Sequence, residues 1–167
     1  VIYSFRSGSY FRFRQVVWLR FGELGGRAEF EIFLDILEES GKGYRVILRK
    51  SRLIAEGPLA EELPEVQAAQ ELTLQADGRG CSLLLPLPSE ELVAGLRWIE
   101  DLEYSVAQLG EGAAFVVGVG TRDGHQEESN FTLDLERRVQ TRSLRLVTTP
   151  EWTSVTELDL LERGTFQ

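Results

Sequence analysis

The sequence predicts a mainly β protein: antiparallel meanders of about nine or ten strands, curled into a half-barrel, a barrel or a sandwich, with one or two short helices. Three observations carry this prediction. Apolar and polar residues alternate with a period of two along most of the chain, short Gly- and Asp-containing turns separate the alternating runs, and windows with helical spacing are few. At 167 residues, the span 1–167 reads as a single β-rich domain, long enough to bury roughly 70% of its unfolded surface without a metal or disulfide staple.

Residues 10–21 place Phe11, Phe13, Gln15, Val17, Leu19 and Phe21 on one face and Arg12, Arg14, Val16, Trp18 and Arg20 on the other, the pattern of a long half-buried strand. After Gly22-Glu23-Leu24-Gly25-Gly26, a second strand sets Ala28, Phe30, Ile32, Leu34 and Ile36 against Glu29, Glu31, Phe33 and Asp35. A one-residue slip would turn one core face to solvent, so matching the apolar faces restricts the register. A tight loop at 23–26 then predicts Leu19 opposite Phe30 and Val17 opposite Ile32, with Arg20 against Glu29 and Arg14 against Asp35 outside. Each exposed charge pair contributes only about 0.2–1 kcal/mol. Glu39-Ser40-Gly41-Lys42-Gly43 turns the chain into a third strand through Tyr44, Val46 and Leu48.

The alternation then fails. Gly57-Pro58 and the stretch Glu61-Glu62-Leu63-Pro64-Glu65-Val66 predict an irregular or helical crossover over about 55–70. Leu72, Leu74 and Ala76 resume the period up to Asp77-Gly78-Arg79-Gly80, and a short return strand is expected over 81–85 before Leu85-Pro86-Leu87-Pro88. Ser89 predicts a capped helical turn over about 89–95, ending at Gly95. The last third reads as a further meander. Leu96, Trp98, Leu102, Tyr104 and Val106 share one face, Gly110-Glu111-Gly112 leads into Phe115, Val117 and Val119, and Arg122-Asp123-Gly124-His125 leads into Phe131, Leu133 and Leu135. Two more strands follow over 139–147 and 153–161, the first with a bulge near Ser143-Leu144.

The net charge of -9 is unevenly spread. Residues 1–55 hold ten Lys/Arg and six Asp/Glu, whereas residues 56–136 hold three and seventeen. Phosphate binding needs clustered cations, so no nucleic-acid partner is predicted. Cross-strand pairing is the plainer account of the N-terminal arginines. No stretch reads as a transmembrane segment. The chain starts at Val1 and lacks Met, which leads us to expect a processed or excised piece, a reading compatible with a removed signal or lipid anchor.

No catalytic residue, metal ligand or cofactor is predicted. The one His, His125, lies in a Gly-containing turn, and the one Cys, Cys81, reads as a small buried residue. Neither a nucleophile–base pair nor a metal cluster follows from them. Gly118-Val119-Gly120-Thr121-Arg122-Asp123-Gly124 resembles a phosphate loop only superficially, because it leads into a hairpin and not into a helix. Asn130-Phe131-Thr132 matches a glycosylation sequon, which is short and common.

Two groups remain as candidate binding residues. On the outer face Trp18, with Arg12 and Arg14, has the composition of an interaction patch with cation–π character, or of a second small core under a covering segment. On the inner face Trp98 and Tyr104 either belong to the core or line a groove for an apolar ligand, with Phe115 and Phe131 nearby. Glu100 falls on that otherwise apolar face; it is either desolvated and partnered, or released to water by a strand end.

The opening Tyr3-Ser4-Phe5-Arg6-Ser7-Gly8-Ser9-Tyr10-Phe11-Arg12-Phe13, the segment Leu72-Thr73-Leu74-Gln75-Ala76-Asp77-Gly78-Arg79 and the pair Leu85-Pro86-Leu87-Pro88 and Gly95-Leu96-Arg97-Trp98 together resemble uncharacterised bacterial envelope domains, often lipoproteins. Residues 131–139 resemble the closing strand and turn of that family, with Arg137-Arg138 where its turn has Gly. The resemblance implies a β-rich fold and a cell-envelope or secreted location, the alternative being cytoplasmic, and it assigns no catalytic residue. Three functions compete: a non-catalytic envelope domain that binds a protein or serves as a structural module, a carrier or sensor of an apolar ligand like lipocalins and half-barrel lipoprotein carriers, and a carboxylate-dependent hydrolase using Glu100 or Glu103.

Overall fold

A computed structural model describes residues 3–41, 43–63 and 65–166, without the side chain of Val66. Val1, Lys42 of the second predicted turn and Pro64 of the predicted crossover lie outside the described residues. Ten strands and one short helix follow in the order β1 (Ser9–Phe21), β2 (Leu24–Ser40), β3 (Gly43–Glu56), α1 (Pro58–Glu61), β4 (Val66–Gln75), β5 (Arg97–Ile99), β6 (Glu103–Leu109), β7 (Ala113–Arg122), β8 (His125–Asp134), β9 (Val139–Thr148) and β10 (Trp152–Thr165). They form one antiparallel sheet ordered β4-β3-β2-β1-β10-β9-β8-β7-β6-β5. The edges β4 and β5 do not pair, so of the predicted closures the barrel is excluded and the sheet stays open. No helix among the described residues is long and apolar enough to cross a membrane.

Local chemistry explains the hairpins. The β7–β8 turn consists of Asp123 and Gly124 at φ 53° and 81°, the two left-handed residues that a two-residue turn matched to strand twist requires. The β1–β2 hairpin turns earlier than expected, at Gly22-Glu23. Val17 therefore faces Ala28 and Leu19 faces Gly26, each partner lying four residues from its predicted place. An even displacement preserves which face is buried, so the inner face is as read and the charge pairs are not. Arg14 bonds to Glu29, Arg12 to Glu31 at 3.2 Å and to Glu162 at 3.1 Å, and Asp35 to Arg49 at 2.9 Å.

Three connections depart from expectation. The crossover after β3 spans only 57–65, and residues 66–70 continue as strand because β4 pairs along β3 as far as Ser51. No strand forms at 81–85 and no helix at 89–95. Instead residues 76–96 make one long irregular covering segment over the inner face. Leu84, Leu87 and Leu92 are buried there, so this segment supplies apolar anchors to the core in place of regular structure. Gly78, at φ 98°, permits its first bend: a Cβ there would meet Tyr3 and Leu85 at 2.8 Å. Tyr3 accordingly donates its hydroxyl to the Leu85 carbonyl at 2.7 Å, and its own N–H bonds to Ala76 at 2.7 Å.

The core lies against the inner face, built from Phe11, Phe13, Phe30, Ile32, Leu34, Val46, Leu74, Val116, Phe131 and Leu133, with Tyr3 and Phe5 of the N-terminal segment packed onto it. On β7 the inner residues are Ala114, Val116 and Gly118, whereas Phe115 and Val119 are exposed. The cause is the neighbouring strand. A Cβ on Gly118 would overlap the Tyr104 ring, and one on Gly120 would crowd Leu102 at 3.3 Å. The predicted placement of Phe115 beside Tyr104 is corrected accordingly, and the glycines that resembled a phosphate loop make room for side chains of the adjoining hairpin.

Candidate ligand-binding cavity

The inner face is not filled evenly. Between the sheet and the segment 78–86 lies a cavity of about 670 Å³, within the size range of small-molecule sites. The register of five strands places a row of inner residues across it: Thr156 faces Arg145, Arg145 faces Ser129, Ser129 faces Gly118, and Gly118 faces Tyr104. The adjoining row brings Gln15, Leu158 and Ser143 side by side. Ile32, Leu48 and Lys50 form the wall on β2 and β3, and the residues from Cys81 to Pro86 form the roof.

The polar groups of this cavity fall into two kinds. At the mouth they are satisfied. Glu127, its side chain only 1% exposed, accepts two hydrogen bonds from Arg122, at 2.8 and 2.5 Å, and a third from Arg145. A carboxylate removed from water this far needs such pairing. Arg122 also reaches Asp101 at 3.3 Å, and Arg79 bonds to Glu100.

Other groups on the lining are not satisfied. Among the described residues Ser129, 1% exposed, has no partner for its hydroxyl, and neither has the buried Oε1 of the half-buried Gln15. Lys50 has no carboxylate partner among the described residues; its Nζ sits 4.2 Å from the centre of the Phe30 ring. Burial lowers its pKa, because the charged ammonium loses hydration there. Among the described residues lining the cavity, Lys50, Arg79, Arg122 and Arg145 outnumber Glu100, Asp101 and Glu127 by one. The surplus is Lys50, since the three guanidiniums are matched by the three carboxylates.

The structure divides the candidate residues between two faces. Trp98 and Tyr104 stack with ring centroids 5.5 Å apart. Glu100 follows in the turn beside them, with Glu100 and Tyr104 on the cavity and Trp98 on a smaller crevice behind it. Glu100 therefore leaves the core at a strand end and is partnered by Arg79. Trp18, Arg12 and Arg14 lie on the outer face and join none of these. Arg27 stands over the Trp18 ring at 5.9 Å, and the carboxylates named above occupy Arg12 and Arg14.

Other reactive types are placed as follows. His125 lies against Trp152, ring centroids 5.8 Å apart, beside its turn. Cys81 is buried in the roof, and that burial pushes its thiol pKa up, away from the reactive thiolate. No group of His, Cys, Asp and Glu among the described residues could hold a metal ion. Sequence reasoning missed Lys50, Glu127, Ser129 and Arg145. A signal was present for some of them: Ser129 and Glu127 share the alternation of Phe131 and Leu133, as Gln15 shares that of Phe11 and Phe13.

Fold and site together define an open, ten-stranded antiparallel sheet of half-barrel or sandwich type, with a ligand-sized cavity of mixed polarity on its inner face. No protein-family model matches the chain, and no curated protein matches it.

Proposed function

We propose that this chain is a non-catalytic binding domain of the bacterial cell envelope, a carrier or sensor that holds a small amphipathic molecule in its inner cavity. The observation that carries this reading is the cavity of about 670 Å³ itself, whose lining includes Ser129 with a buried hydroxyl that has no partner among the described residues. Leaving such a group unpaired costs about 1–3 kcal/mol, a cost that a ligand's polar atom would remove. A wholly apolar ligand is the weaker form of the reading, since it would leave Ser129 and Gln15 unpaired and strip more water from Lys50. Docking of a protein on the Trp18 face has less support, because Arg12 and Arg14 are engaged by carboxylates of the same sheet. The envelope location rests on the family resemblance of the sequence.

The test uses the uncharged fluorophore N-phenyl-1-naphthylamine. Saturable binding to the purified protein is expected, and Thr156→Trp, which fills the half-buried floor, should abolish it with an unchanged circular dichroism spectrum. Absence of saturable binding, or binding indifferent to the substitution, overturns the reading.

A further inference from the structure

Building on that reading of the cavity, we infer that the molecule it takes is a monoanionic amphiphile, with its anionic group on Lys50 and its apolar body along Ile32 and Leu158. Three independent observations converge. Lys50 lines the cavity and has no carboxylate partner among the described residues, whereas each guanidinium at the mouth has at least one. A half-buried ammonium held over an aromatic face gains from an anion in contact, because a charge-assisted hydrogen bond is roughly twice as strong as a neutral one.

The second observation is the balance of the opposite wall. There Glu127 and Asp101 are matched by Arg122 and Arg145, so no surplus carboxylate is present to repel an anion. The third is the distance of Lys50 from the polar groups of the opposite wall. Lys50 stands on β3, whereas Ser129 and Arg145 stand on β8 and β9, with Ile32 on β2, Gln15 on β1 and Leu158 on β10 between them. Along the sheet, β3 and β9 are four strand spacings apart, about 19 Å. An elongated molecule with a charged end suits that spacing better than a compact anion such as phosphate.

The experiment displaces bound N-phenyl-1-naphthylamine with three twelve-carbon chains below their micelle concentrations: dodecanoate, dodecanol and dodecyltrimethylammonium. Dodecanoate is expected to compete about tenfold or more tightly than dodecanol, and the cation most weakly. Lys50→Gln should erase the preference for dodecanoate while leaving dodecanol unchanged, and Lys50→Arg should restore it. Equal competition by dodecanoate and dodecanol, or an equal loss of both in Lys50→Gln, overturns the anion assignment while the cavity reading stands. If the fluorophore itself does not bind, both fail together. Inorganic phosphate at millimolar concentration should not compete; displacement by it alone would overturn the amphiphile in favour of a compact anion.

Discussion

The ring of Tyr104 lies across the bare backbone of Gly118, on the adjoining strand of the hairpin, where a Cβ would overlap its edge atoms. Because Tyr104 also stacks on Trp98, this one glycine sets the position of the aromatic pair beside the cavity mouth. Gly118→Ala is expected to cost about 1–3 kcal/mol through overpacking and to lower Tm by roughly 2–4 °C for each kcal/mol. Thermal unfolding followed by tryptophan fluorescence checks it. The double variant Gly118→Ala/Tyr104→Ala should show less than the sum of the two single losses, since the clash is then gone.

Arg138 occupies a left-handed conformation, φ 50°, in the turn between β8 and β9. A residue with a Cβ loses roughly 1–2 kcal/mol there relative to the right-handed region, a loss that glycine avoids. Arg138→Gly should therefore stabilise the protein by about 1 kcal/mol once the greater freedom of unfolded glycine is subtracted. Denaturant unfolding should show a higher midpoint with an unchanged slope.

Alkaline stability is expected to follow the buried tyrosines. Burial raises the Tyr104 hydroxyl to about 12 and pushes Tyr3 up as well. A proton held more tightly in the folded state contributes stability that is full below the unfolded tyrosine value of about 10, and that is lost as pH rises through the folded value. Stability should thus fall between about pH 10 and about pH 12. Phenolate absorbance should lag behind that of the urea-unfolded chain and appear with unfolding, and Tyr104→Phe should move the alkaline midpoint upward.

Among the described residues, Glu127 is the one carboxylate serving both Arg122 and Arg145. Glu127→Ala leaves Arg145 without a carboxylate partner among the described residues and Arg122 with Asp101 alone, so the two guanidiniums repel each other more strongly, although both retain partial contact with water. A loss of roughly 1–3 kcal/mol is expected, smaller in high salt, where repulsion between exposed charges is screened. Urea unfolding at low and high ionic strength measures both effects.

The strands were legible because period-two alternation records burial directly, and Phe11, Phe13, Phe30 and Ile32 all lie where their parity places them. Parity misled at β7, where the larger residues Phe115 and Val119 point outward, because the inner places are filled from the next strand by Tyr104 and Leu102. That exchange of volume is a property of two strands together. Within the segment 76–96 the sequence predicts a strand over 81–85 and a helical turn over 89–95, yet its leucines bury individually with no period. The cavity was legible only in part. Gln15 and Ser129 break the apolar alternation visibly, whereas Lys50 and Arg145 are ordinary strand cations until the sheet curls and turns them toward a shared space.

The strands at the two ends of the chain form the seam of the sheet, Ser9 pairing with Thr165 and Phe21 with Trp152. Either half can zip up through hairpins between neighbours in sequence, but this seam must close the largest loop in the chain, which slows folding. The cavity floor straddles it, with Gln15 on one side and Thr156 and Leu158 on the other. The cavity accordingly does not exist in either half alone, and it arises only when the slowest junction closes. An occupant would clamp that junction after the folding barrier has been crossed, so its signature would be slower unfolding with the folding rate nearly untouched.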